Sequence, residues 1–89
     1  MPQLEFSRRF LKDVKKRRRA GESMEPLDVF IRITQRQWPP PAQYEPHLLT
    51  GPFAGIWDIH LRQNRLLLLR FQGGTVRFLR MGTHAELGL

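Results

Sequence analysis

Residues 65–80 read "RLLLLRFQGGTVRFLR". Two apolar runs flank Gly73-Gly74, and a Gly-Gly pair in that setting marks a two-residue hairpin turn, whose central positions need positive φ. Such a turn fixes the pairing. Phe71 faces Val76 and Leu69 faces Phe78 on one side, while Arg70 faces Arg77 on the other. The unbroken leucine run marks the first of these strands as central in its sheet.

Upstream, "IWDIHLR" (56–62) alternates and predicts a strand joined to "RLLLLRF" through "RQN" (62–64). A two-residue turn at Gln63-Asn64 would put His60 on the apolar side, opposite Leu67. A three-residue loop puts Ile59 there instead. That choice buries Trp57, Ile59 and Leu61, exposes Asp58, His60 and Arg62, and gives Asn64 the left-handed position it tolerates. The second face is then open and positive.

The apolar face needs a cover. Phe6, Phe10 and Val14 recur at i, i+4, i+8, with Leu11 beside them, which predicts a helix ended by Ala20-Gly21. Ser23 can cap a second helix carrying Met24, Leu27, Phe30, Ile31, Thr34 and Trp38, stopped by "PPP" at 39–41. A short Gly-containing turn between them predicts an antiparallel pair. "LEFS" (4–7) has the composition of a short first strand, and another is expected around His47 to Leu49. The expected fold is α+β: two N-terminal helices packed on one face of a small antiparallel β-sheet, in a single domain over residues 1–89.

Charge is unevenly placed. The chain has 15 Lys and Arg against 8 Asp and Glu, net +7, and residues 8–19, "RRFLKDVKKRRR", hold eight of the cations. From Ile59 to Ala85 there are five arginines and no acid. Two basic regions on so small a body imply an anionic partner, nucleic acid or an acidic protein segment. No cysteine excludes disulfides and thiolate metal sites. No apolar run reaches the roughly 18–20 residues a bilayer span needs, and the N-terminus has no signal-peptide core. A cytoplasmic protein without membrane contact is expected.

The chemistry follows from the inventory. There is no nucleophile elbow around Ser7 or Ser23 and no glycine-rich phosphate loop. His47, His60 and His84 match no local zinc spacing, and Asp58-x-His60 alone is a weak metal signal, so neither metal nor cofactor is expected. Histidine, titrating near pH ~6.5, can instead act as proton acceptor or donor, and arginine can bind two phosphate oxygens. That is the set an RNA-cleaving site needs: a base for the 2′-OH, a cation for the phosphate, and an acid for the leaving 5′ oxygen.

From "EPHLLTGPFAGIWDIHL" to "VRFLRMGTHAEL" the chain resembles the YafQ branch of the RelE superfamily of bacterial toxins. The shared pattern is His-x-Leu-x-Gly, then Asp-x-His, then Arg-x-Gly-Thr-His. "FSRRFLKDVKK" also resembles that family's first helix. The resemblance implies a RelE-like fold, a ribosome-dependent endoribonuclease cutting mRNA in the A site, and a cognate antitoxin. It places His47, Asp58, His60 and His84 at catalytic positions, with His84 as general acid and His47 or His60 as base. Arg62, Arg77 and Arg80 are candidates for phosphate contact. Asn64 stands where the best-matched members have an acid, and Gly88 where they often have Phe. The rival readings are a ParE-like gyrase inhibitor of the same fold and a non-catalytic RNA- or ribosome-binding module. Three retained histidines argue against the first, and the Gly-Thr-His ending against the second.

Overall fold

The computed structural model describes residues 1–62 and 64–89. The β4–β5 hairpin is the centre of the molecule: β4 (Arg65–Gln72) and β5 (Thr75–Gly82) pair antiparallel in the expected register. β3 (Trp57–Leu61) pairs with β4 so that Ile59 faces Leu67, as the three-residue loop requires, and Asn64 takes φ 59°. Gln63, the middle of that loop, lies outside the described residues. Two edge strands complete a five-stranded sheet in the order β1-β5-β4-β3-β2. They are β2 (His47–Leu48), antiparallel to β3, and β1 (Gln3–Phe6).

The sheet is mixed, not purely antiparallel, because β1 runs parallel to β5. No short turn links those two strands, so nothing local sets their direction. β1 leads straight into α1 (Arg8–Arg19), whose N-cap is Ser7. The Ser7 hydroxyl accepts from Phe10 N–H at 3.0 Å and donates to the Leu79 carbonyl at 2.8 Å. Leu79 is the extra residue of a bulge, where pairing jumps from Leu69↔Phe78 to Leu68↔Arg80. The capping serine therefore satisfies a carbonyl at the bulge as well as a helix donor.

α2 spans Glu25–Thr34, shorter than its spacing predicts. Trp38 leaves the helix and stacks on Phe71, with ring centroids 5.1 Å apart. Met24, not Ser23, occupies the N-cap, and Ser23 Oγ accepts from Glu25 N–H at 3.3 Å. Phe10, Val14, Leu27 and Phe30 of the helices cover Ile59, Leu67, Leu69, Val76, Phe78 and Met81 of the sheet.

The second face is only partly open. Leu66 and Leu68 point there and are buried beneath Leu49, Ile56, Leu79 and Leu87. Leu87 belongs to a third helix, α3 (His84–Leu87), where the sequence reading had only a tail. No described helix is long and apolar enough to cross a membrane.

Candidate active site

The sheet brings the histidines together through its register. His47 on β2 pairs with Asp58 on β3. Two residues on, His60 pairs with Leu66, whose other neighbour is Gly82 at the end of β5. His84 follows as the first residue of α3. Positions scattered over 38 residues of chain thus converge on one edge of the second face. The ring centroids are 6.1 Å apart for His47 and His60 and 6.0 Å for His60 and His84, so the imidazoles form a row with His60 in the middle.

Two carboxylates attend the row. Asp58 Oδ1 lies 3.4 Å from His47 Nδ1, an ion pair whenever that imidazole is protonated. Asp58 is buried, and its Oδ1 has no hydrogen bond among the described residues. A buried carboxylate without a donor is costly, so it favours a cation beside it. Glu45 Oε2 lies 3.8 Å from His60 Nδ1. Glu45 stands in the left-handed region at φ 47°, closing the short 3-10 turn Ala42–Tyr44. Sequence reasoning missed Glu45, because nothing local joins it to a histidine fifteen residues later.

The donor atoms of His47, Asp58 and His60 all lie within 4.8 Å of one another. Asp58-x-His60, weak evidence alone, becomes a three-donor cluster once β2 adds His47. In a tetrahedral zinc site with bonds of about 2.0–2.1 Å, donors sit about 3.4 Å apart, so these side chains must turn inward to hold an ion.

The arginines are placed less uniformly. Arg80 Nε donates to Asp13 Oδ2 of α1 at 2.9 Å, and the same oxygen accepts from Met81 N–H at 3.0 Å. The Arg80 Nη groups make no hydrogen bond among the described residues. Arg77 pairs with Glu5 on β1, three strands away from His47 on β2. Arg62 is exposed in the β3–β4 loop. Arg70, which sequence reasoning did not single out, is exposed on β4 and forms no ion pair among the described residues.

α3 also had a readable signal that was missed. Thr83-x-x-Glu86 is a capping box: Thr83 Oγ1 accepts from Glu86 N–H at 3.2 Å, and Glu86 Oε1 accepts from Thr83 N–H at 2.9 Å. Gly88 then closes the turn at φ 76°.

Comparison with known proteins shows the family. The family model of the bacterial toxin of type II toxin–antitoxin systems, YafQ, matches residues 2–88. The chain is 32% identical to the mRNA interferase toxin YafQ of Escherichia coli K12 over 85 residues, covering 94% of this chain and 92% of that protein. It superposes on the toxin in the E. coli DinJ-YafQ toxin–antitoxin complex with a TM-score of 0.84 at 31% identity, over 97% of this chain and 96% of that one. A metal-bound toxin from Helicobacter pylori superposes with a TM-score of 0.84 at 27% identity, over 98% of this chain and 99% of that one. A match that spans nearly the whole sequence, together with the converged histidines, makes this chain a member of the YafQ family, the toxins of bacterial type II toxin–antitoxin systems.

Proposed function

We propose that the chain is an endoribonuclease, an mRNA interferase that cuts mRNA in the ribosomal A site by acid–base chemistry through the substrate's own 2′-OH. The observation that carries this reading is the set of three imidazoles at 6.1 and 6.0 Å, with a buried Asp58 that has a carboxylate oxygen within 4.8 Å of a nitrogen of both His47 and His60. His60, the imidazole next to His84, takes the 2′-OH proton. The freed oxygen attacks the phosphorus, and His84 gives a proton to the departing 5′ oxygen. His47 and Asp58 form the flank that favours positive charge. Arg80, held at its Nε by Asp13, presents its Nη groups to the phosphate, with Arg62 and Arg77 as further contacts along the RNA.

The site is shallow and open. The side chains of His47 and His60 are 62% and 33% exposed, so both imidazoles are open to solvent. Acid–base cleavage needs the 2′ oxygen, phosphorus and leaving oxygen in line, and so small an open surface cannot impose that on a flexible strand. A ribosome that already holds the codon supplies the alignment. Neutralisation is by a cognate antitoxin, as the E. coli relative is found with DinJ.

A second reading concerns the metal. The H. pylori relative is metal-bound, and here His47, Asp58 and His60 are gathered within ligand reach. An ion there takes the imidazole lone pairs that proton transfer requires. In this chain a divalent metal is therefore an inhibitor and not a cofactor, and the cytoplasmic reaction proceeds without one.

The decisive substrate carries a single 2′-deoxy nucleotide at the cut position, on programmed ribosomes. It should resist cleavage, while the all-ribose substrate yields a 2′,3′-cyclic phosphate or its 3′-phosphate product and a 5′-OH. Full cutting of the deoxy substrate, or 5′-phosphate products, would overturn the roles given to His60 and His84.

A further inference from the structure

α3 is a single turn, His84–Leu87, and one turn cannot hold itself, since helix nucleation costs more than its few hydrogen bonds return. Its first residue is nonetheless the proposed acid, so something outside the helix must fix it. Leu87 anchors the far end in the second core. At the near end Thr83 Oγ1 accepts from Glu86 N–H, and the one link from this turn to α1 passes through the Glu86 carboxylate among the described contacts. Glu86 Oε1 accepts from Thr83 N–H at 2.9 Å, closing the capping box around His84. The same oxygen accepts from Arg17 Nη2, and Lys16 Nζ lies 3.9 Å from Oε2. Arg17 and Lys16 stand in the last turn of α1, on an element that packs against β5. The Arg17 side chain is only 17% exposed, so it is held in place. Gly82 completes the fit: a Cβ there would come within 3.1 Å of Glu86 Oε1 and 3.3 Å of Glu86 Cβ.

We propose that Glu86 is a positioning residue for cleavage, tying the backbone of His84 to α1 through Thr83 and Arg17 and so holding that imidazole 6.0 Å from His60. Among the described contacts Glu86 meets no histidine, so it acts only through the turn it closes. An isolated surface ion pair does little, but here one charged oxygen accepts from a backbone amide and a guanidinium together. The Thr83 backbone hydrogen bond, and then the Arg17 charge, hold the Glu86 carboxyl below its ordinary value against the opposing effect of burial. The tie is therefore fully charged at neutral pH.

The inference rests on His84 taking part in cleavage, and the test separates the two. Single-turnover cutting on programmed ribosomes is measured for Glu86→Ala, Glu86→Gln, Gly82→Ala and His84→Ala. Glu86→Ala should lower kcat about 10- to 100-fold, the scale of a misplaced catalytic group. KM should stay unchanged or fall, because removing an acid from a basic surface cannot weaken RNA binding. Glu86→Gln keeps an oxygen for Thr83 N–H and should recover to within about threefold of the parent. Gly82→Ala should reproduce the kcat loss by crowding the carboxylate, which keeps the test open if Glu86→Ala does not fold. Backbone order parameters at Thr83 and His84 should drop in Glu86→Ala, with those of β3 and β4 unchanged. Dead His84→Ala with parental kcat in Glu86→Ala and Gly82→Ala overturns the positioning role alone. Parental cutting by His84→Ala overturns the assignment of the site itself, whatever Glu86 does.

Discussion

Asp58 Oδ1 lies 3.4 Å from His47 Nδ1 and has no hydrogen bond of its own among the described residues. Among the described residues it is the one buried acid of the sheet, 8% exposed, on the strand that also carries His60. Asp58→Asn keeps the shape and removes the charge. Cleavage should fall by about 10²-fold or more, the lower end of what general acid–base groups contribute. Thermal stability should hold or rise, since an underpaired buried carboxylate is relieved. Parental activity in this variant would remove Asp58 from the site.

The fold itself can be tested at Phe78. Its ring is fully buried, with centroids 5.0 Å from Phe6, 5.3 Å from Phe10 and 6.1 Å from Phe30. Phe78→Ala should cost about 3–5 kcal/mol in urea unfolding, the range for an aromatic removed from a core. Ser7→Ala should cost about 1–2 kcal/mol, because it uncaps α1 and strips the Leu79 carbonyl of its donor together. Equal losses for the two variants would contradict this picture of the core and the bulge.

What was legible in the sequence depended on chain distance. Short turns fix register, so the pairings of Phe71 with Val76 and Ile59 with Leu67 could be read, and with them the common face of Asp58 and His60. The direction of β1 could not, because the whole chain lies between it and β5. Nor could the bulge at Leu79, which no glycine announces and which alters the placement of Arg80. Two features were readable and missed. A run of four leucines on a central strand must send two to each face, which foretells a second small core. Thr83-x-x-Glu86 foretells a helix start. The grouping of His84 with the other histidines came from family resemblance, and its physical cause is the rung His60–Leu66–Gly82.

α1 offers a second test, through salt. Arg8, Lys12, Lys15 and Arg19 are exposed, lie at i, i+4, i+7 and i+11, and form no ion pair among the described residues. Eleven residues of helix span about 16 Å, several phosphate spacings of a duplex. If ribosomal RNA meets this stripe, changing all four to Gln should reduce the slope of log affinity against log salt by about 3–4, close to 0.9 per lost contact. Cutting at saturating toxin should persist, since α1 covers the sheet face of Ile59 and Leu67, opposite to the face that carries His60. An unchanged slope would make the stripe a solvated helix face.

Metal gives the last prediction. His47, Asp58 and His60 can close on one divalent ion, and a histidine that gives its lone pair to zinc cannot accept a proton. Added zinc should therefore inhibit cleavage, and a zinc-selective chelator that spares magnesium should restore it, while the same chelator alone leaves the untreated protein fully active. Ribosomes need their magnesium, so a general chelator would confuse loss of the ribosome with loss of the toxin. Calorimetry on the free toxin separates binding from activity: zinc should bind at one site, and His47→Ala should weaken it by about 10-fold or more, as removal of one of three donors requires. His84→Ala should leave zinc binding unchanged, because His84 lies beyond the cluster. Stimulation by zinc, or inactivation by the selective chelator alone, would contradict acid–base cleavage by bare imidazoles and return the metal to the mechanism.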